Sequence, residues 1–302
     1  MEKTKMQITA SLVNELRTKT GVGMMQCKKA LTETDGDLEK ALDLLRKQGA
    51  AVAAKRADKD AKEGRVFLVE ADSRAVAFEL SCETEPVSKN EDFNDLANLA
   101  TKVLSTQEIN SVESLLEASA DGVKVGDRLQ DVLVKIQENI SFRKLATMKR
   151  SASEVFGIYS HMMGKIGVIT KLAYVGTPSN EADLKQVAKE ISMQAAAFAP
   201  IAVKAEDVPA ETIEKEREIA RAQIENAAKE SGKVTKPEFV ERQLDGRVAK
   251  VLKEIVLEDQ EFFISDKNPK KLNVKEYLQS IASSLGLSSL QVVELIRFER
   301  GN

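Results

Sequence analysis

The strongest constraint on this chain's fold is a change in the spacing of its apolar residues. Over the first fifty residues the spacing is helical: Ile8, Leu12 and Leu16 fall four apart, and Leu38, Ala41, Leu42 and Leu45 stand at i, i+3, i+4 and i+7. After Gly64 the period becomes two. Arg65 to Glu70 reads as a short strand, Ala71-Asp72-Ser73 as a turn, and Val76, Phe78, Leu80 and Cys82 alternate along a second strand, a hairpin expected to bury one face. Helical patterns return around Phe93, Leu96 and Val103 and at Leu129, Val132, Leu133 and Ile136, before a strand-like Asn139 to Arg143. The plan then repeats. Val155 to Tyr159 and Ile166 to Tyr174 form a second hairpin, Leu184, Val187 and Ile191 mark a helix, Val274, Tyr277, Leu278 and Ile281 another, and Val293 to Phe298 a strand. Both halves run hairpin, helix, insertion, helix, strand, which predicts an α+β fold with two related core subdomains meeting near residue 152.

Residues 1–50 read as a separate three-helix domain. Thr9 is placed to cap the first helix, which stops at Thr20-Gly21-Val22-Gly23; a second runs from Met24 to about Leu31, and Asp37 can cap the third. Gly21-Val22-Gly23 follows a helix rather than a strand, so it is a turn and not a phosphate loop. Adjacent Met24 and Met25 cannot both face one core, which leaves one of them either for a partner or for solvent. A linker is expected at 51–64, then a core subdomain at 65–152 and another at 153–302. Inside the latter, at about 207–255, two charged helical stretches carry Ile213, Ala220, Ile224 and Ala227, then Leu244, Val248, Val251, Leu252 and Ile255. They predict an inserted antiparallel coiled-coil hairpin with arms of about 25 to 30 Å. Its charges fit a solvated face, with a binding face as the alternative.

Charge and motif content narrow the chemistry. Lys and Arg number 45 against 48 Asp and Glu, a net charge of −3, which argues against a phosphate-reading surface, so no direct nucleic-acid contact is expected. Cys27 and Cys82 lack metal-ligand spacing and fit free thiols in a reducing cytosol. No apolar run approaches the ~18 residues of a membrane span, and Met1 to Met6 leads into an amphipathic pattern, so a cytoplasmic protein without a membrane partner is expected. His161 is the sole histidine, and it falls in the second hairpin's turn. Nucleophile elbow, metal-binding histidine pair and GxxxxGK[ST] are all missing. No catalytic residue, metal site, cofactor or direct nucleotide binding is expected. The rivals are an adaptor built on residues 1–50, a ribosome or RNA binder, and an enzyme around His161; the large double core, the net charge and the missing motifs weigh against them in turn.

Several stretches together resemble the bacterial elongation factor Ts family, the guanine nucleotide exchange factors of elongation factor Tu, and the resemblance spans the chain. Ile8-Thr9-Ala10-Ser11-Leu12-Val13, Leu16-Arg17 and Thr20-Gly21-Val22-Gly23-Met24-Met25-Gln26-Cys27-Lys28-Lys29-Ala30-Leu31 are similar to its N-terminal signature. Cys82-Glu83-Thr84-Glu85-Pro86-Val87 stands where the family has Cys-x-Thr-Asp-Phe-Val. Lys135-Ile136-Gln137-Glu138-Asn139-Ile140, Tyr159-Ser160-His161, Gly246-Arg247, Asp259-Gln260 with Phe262, and Arg297-Phe298-Glu299 with Gly301 add to the match. The resemblance implies that residues 1–50 are a ubiquitin-associated-like domain, that the core is duplicated and that the inserted hairpin is a protruding coiled coil. It implies that Arg17, Met24, Met25 and Lys28 meet the partner's GTPase domain. Ile136, Gln137, His161, Phe263 and Ile264 line or support the rest of the contact, and Thr84, Glu85, Pro86 and Val87 dislocate the partner's Mg²⁺. Glu85-Pro86 replaces the family's Asp-Phe, Gln137 a usual glycine, and Val234-Thr235-Lys236 separates a lysine and proline that are usually adjacent. On the residues alone, Glu85-Pro86 has a second reading as a plain strand end, since proline stops ladder pairing.

Overall fold

The N-terminal helices begin and end at local chemical signals. In the computed structural model, which describes residues 8–56, 59–231 and 237–302, α1 spans Ala10–Thr20. The Thr9 hydroxyl caps it, accepting from the Leu12 N–H at 3.2 Å. Gly21 closes it with a left-handed φ of 66°. Helices α2 (Met24–Glu33) and α3 (Leu38–Arg56) follow, and Asp37 caps α3 by accepting from the Lys40 N–H at 3.1 Å. Leu16, Cys27, Leu31, Ala41 and Leu45 are buried together. Helix α3 runs on to Arg56, six residues into the expected linker. Its Ala, Lys and Arg composition sustains a helix without supplying a large apolar stripe. Met1 to Met6 and Val234-Thr235-Lys236 lie outside the described residues.

The chain divides into two units. The first comprises Met1–Thr147, Ser160–Ile166 and Phe298–Asn302. After the three helices come β1 (Glu63–Ala71), β2 (Arg74–Cys82), α4 (Glu85–Ser88), α5 (Glu91–Thr106), α6 (Val112–Glu117), β3 (Ser119–Ala120), β4 (Val123–Lys124), α7 (Val125–Ile136) and β5 (Ser141–Lys149). The main sheet has the order β1-β2-β5; β1 and β2 are antiparallel with Phe67 opposite Phe78, and their rings stack at 5.0 Å. Phe93, Leu96 and Val103 of α5 and Leu129, Val132 and Leu133 of α7 join Phe78 and Leu80 in one core. The expectation of a single buried hairpin face is wrong for β2, which is buried at every residue from Ala75 to Cys82. Its second face consists of Ala75, Ala77, Glu79 and Ser81, small or polar residues that do not signal burial. Glu79 is wholly buried, and its Oε1 accepts from the Ser81 hydroxyl at 3.1 Å and from the Gly301 N–H at 3.0 Å. Gly301 has φ 79°, and a Cβ there would lie 2.7 Å from the Lys62 carbonyl oxygen, so the terminal residues form a strap close to β1.

Helix α7 is where the three N-terminal helices meet the rest of this unit. Val134 is buried in their cluster, Arg46 Nε donates to Asp131 at 2.9 Å, and Lys135 lays its stem against Gly21 while its amine sits 2.5 Å from Asp92. A Cβ on Gly49 would fall 2.2 Å from Val134 Cγ2. In an open helix Gly→Ala stabilises by about 1 kcal/mol. Here Gly49→Ala is expected to destabilise by about 1 to 3 kcal/mol, because α3 and α7 must separate. A lowered urea midpoint is the expected reading; a raised one would reject the close approach.

The second unit is Met148–Tyr159 with Gly167–Arg297. The remaining elements are β6 (Glu154–His161), β7 (Ile166–Gly176), α8 (Glu181–Phe198), α9 (Ala210–Ser231), α10 (Pro237–Ile255), α11 (Val274–Ala282) and β8 (Leu287–Glu299), with sheet order β6-β7-β8. Phe156, Ile169 and Leu172 of the sheet are buried, as are Leu184 and Ile191 of α8. The Thr170 hydroxyl of β7 lies 2.8 Å from the Ser192 hydroxyl of α8. Asn273 and Glu276 form a capping box at the start of α11. Helices α9 and α10 run antiparallel: Ile213 packs with Leu252 and Ile255, and Ile224 with Leu244 and Val240. Arg217 flanks the seam, 2.7 Å from Glu241 and 3.1 Å from Asp245.

Candidate functional site

At the α1–α2 corner, Arg17, Met24, Met25 and Lys28 are all exposed. The helix geometry required at least one of the adjacent methionines to face outward, and both do: Met24 is 50% exposed and Met25 75%. Val22, Cys27, Ala30 and Leu31 already fill the inward positions around the start of α2. The turn at Gly21 that sets the corner is backed by the Lys135 stem, so the methionine face is fixed to the end of α7.

The segment after β2 is held at each residue. Cys82 Sγ donates to the Thr84 carbonyl at 3.1 Å, and burial pushes its thiol up to about 12, so it stays protonated. Glu83 Oε1 accepts from Arg56 Nε and from the Asn139 N–H, each at 2.7 Å, and Oε2 accepts from Arg56 Nη2 at 2.9 Å. The Thr84 N–H and hydroxyl both donate to Glu138, at 3.1 and 2.7 Å. Glu85-Pro86 lies beyond the end of β2 and opens the one-turn α4, proline standing in its first turn where the missing N–H costs nothing. Thr84, Glu85 and Pro86 are exposed and Val87 is half-buried. Lys89, 2.8 Å from Glu85, holds that carboxyl below its ordinary value, so it is an anion at neutral pH.

Burial pushes the Glu83 carboxyl up, but Arg56 and the Asn139 N–H outweigh burial and hold it below the usual carboxylate range. A group depressed in the folded state stabilises fully above its unfolded value of about 4.3, and that stability is lost as pH falls through the folded value. The gap in thermal midpoint between the native chain and Glu83→Gln is therefore expected to hold from about pH 7 to about pH 5 and to close below about pH 4. A gap undiminished in acid would remove the ion pair as its source.

Ile136 is half-buried at the end of α7, and Gln137 follows it exposed, with φ 59° and its carbonyl accepting from Arg56 Nη1 at 2.9 Å. That left-handed φ is one that favours glycine. His161 ends β6 half-buried. Met162 and Met163, which sequence reasoning did not single out, follow with left-handed φ of 48° and 54° and exposures of 65% and 74%. The Met163 carbonyl accepts from Arg65 Nε at 2.9 Å. Between this turn and α4 lies a cavity of 610 Å³ lined by Glu85, Lys89, Met162, Met163, Lys165 and Arg300. Two adjacent methionines in a turn were the available signal.

The structure thus places Arg17, Met24, Met25, Lys28, Thr84 to Val87, Ile136, Gln137 and His161 in the first unit. Phe263 and Ile264 belong to the second, both half-buried. The Phe263 N–H donates to Gln194 Oε1 at 2.9 Å, and its ring lies 6.4 Å from the half-exposed ring of Phe198.

Among the described residues no group of three His, Cys, Asp or Glu is arranged to hold a metal ion, and no helix is long and apolar enough to cross a membrane. The exposed features are methionines, one anchored anionic turn and an aromatic pair. Such a set is suited to making contacts with another macromolecule. A family model described as Elongation factor TS matches residues 83–302. Elongation factor Ts of Clostridium novyi (strain NT) is 41% identical over 300 residues, covering 97% of this chain and 93% of that protein.

Proposed function

The chain belongs to the elongation factor Ts family, and from that premise we propose that it is a cytoplasmic guanine nucleotide exchange factor. It binds elongation factor Tu with GDP and promotes GDP release and exchange for GTP during translation elongation. On this reading residues 1–50 are the ubiquitin-associated-like domain, 65–152 and 153–302 the duplicated core, and α9 with α10 the coiled coil. Arg17, Met24, Met25 and Lys28 grip the partner's GTPase domain, and the core positions Ile136, Gln137, His161, Phe263 and Ile264 line or support the rest of the contact. The observation that carries the reading is the anionic, exposed turn Thr84–Val87, fixed to the same helix end as the exposed methionine corner.

No bond in GDP needs to be cleaved. A nucleotide held at nanomolar Kd is stabilised by about 12 kcal/mol, and its unaided escape requires phosphate and Mg²⁺ contacts to be lost together. The factor offers the partner substitute contacts while Glu85 and Pro86 displace the Mg²⁺ and phosphate contacts. Linkage makes the effect reciprocal: nucleotide weakens factor binding as much as factor weakens nucleotide binding. The test is to mix the purified chain with elongation factor Tu loaded with a fluorescent GDP analogue, in the presence of excess GTP. Faster release is the expected result, and an unchanged rate rejects the function.

A further inference from the structure

The geometry points to Glu138 as a positioning residue for nucleotide exchange: its carboxylate clamps Thr84 and so aims the turn that opens at Glu85. The inference rests on the assignment of residues 84–87 to the partner's Mg²⁺ site. Thr84 stands at the N-cap of α4, yet its hydroxyl does not cap that helix. It donates instead to Glu138 Oε1 at 2.7 Å, and the Thr84 N–H donates to Oε2 at 3.1 Å. A cap bond worth about 1 kcal/mol to a helix is thereby given up for a bidentate grip by a charged acceptor.

The neighbours on each side are held by the same strand of chain. Glu83 accepts from the Asn139 N–H at 2.7 Å, and Arg56, which forks onto Glu83, also donates to the Gln137 carbonyl at 2.9 Å. Three consecutive residues, Gln137, Glu138 and Asn139, thus bind Arg56 at the end of α3 and Glu83 and Thr84 at the end of β2. The turn is only four residues long: its far end is held by buried Ser88 and by Val87, which packs against the core. Its near end, from Thr84 to Pro86, is exposed, and Glu138 is what holds it. Without Glu138 the turn keeps its sequence and charge but loses its fixed approach to the partner, and misplacement of a reacting or displacing group costs rate rather than affinity.

Thr84→Val removes the hydroxyl donor and keeps the side chain's volume, Thr84→Ser keeps the donor, and Glu138→Gln weakens the acceptor. With elongation factor Tu and the fluorescent GDP analogue, Thr84→Val and Glu138→Gln are expected to lower the maximal release rate by about three- to ten-fold. The half-saturating factor concentration is expected to stay within about two-fold, and Thr84→Ser to restore the rate. Thr84→Val with Glu138→Gln is expected to lose less than the product of the two single losses, since both variants act on the same two-bond grip. If Glu138→Gln does not fold by circular dichroism, the Thr84 pair carries the test. Wild-type rates in the clamp variants, losses that multiply in the double variant, or a Thr84→Ser variant as slow as Thr84→Val would each overturn the clamp. Glu85→Ala/Pro86→Ala, measured beside them, separates the two claims. If it is slow while the clamp variants are not, only the clamp fails; if it releases GDP at the native rate, the assignment of the turn fails and the clamp with it.

Discussion

A Met24→Ala/Met25→Ala variant is expected to bind nucleotide-free elongation factor Tu about 100-fold more weakly than the native chain, a loss of about 3 kcal/mol. Met24 is half exposed and Met25 three-quarters exposed in the free chain, so half or more of each side chain is still available for burial against a partner. Full burial of a methionine is worth about 1.5 to 3 kcal/mol, and the unbranched side chain adapts to an irregular pocket at little steric cost. The pair also sits on a preformed support, because Gly21 and Val22 are fixed beneath it by Lys135 and by the small buried cluster of α1 to α3. Little ordering entropy then opposes binding. Calorimetric titration of the nucleotide-free partner would read the effect. A Kd within about three-fold of the native value would take the methionines out of the interface.

The second large effect is kinetic. Glu85→Ala/Pro86→Ala is expected to lower the maximal rate of stimulated GDP release by about ten-fold or more, while affinity for the nucleotide-free partner falls much less. Glu85 is already ionised at neutral pH beside Lys89, so it presents a negative charge without a deprotonation step. Pro86 adds a ring whose φ is fixed before contact. A phenylalanine in its place could bury ~150 Å² or more, so the wedge here is shallower and more of the work falls on the carboxylate. Glu85→Gln alone is accordingly expected to lower the rate more than Pro86→Ala alone in stopped-flow release. The reverse ranking would assign the displacement to shape rather than charge.

Periodic features were legible in the sequence. The stripes in α5, α7, α8 and α11 place helices where the structure has them, and the alternation along Val76, Phe78, Leu80 and Cys82 gives β2. What escaped was contact between residues far apart in the chain. Nothing local distinguishes Glu138 from any other surface glutamate, yet it meets Thr84 fifty-four positions away, and Arg46 meets Asp131 across eighty-five. Gly49 reads as a flaw in a helix until Val134 is placed against it. The second buried face of β2 is silent because alanine and serine need little room, and Glu79 because a carboxylate is buried only when donors are supplied from elsewhere. Exposure of both methionines follows from which neighbours had already taken the interior positions, a question of packing and not of period.

The strap at residues 298–302 has a consequence for biosynthesis. Glu79 and Gly301 are 222 positions apart, so at about 5 to 20 residues per second the ribosome delivers the amide that completes this site on the order of 10 to 40 seconds after it has made the glutamate. Until then the nascent first unit carries a desolvated carboxylate short of one donor. Helices α1 to α3 and the β1–β2 hairpin can assemble during translation, but the site around Glu79 is completed only once residues 298–302 have been made.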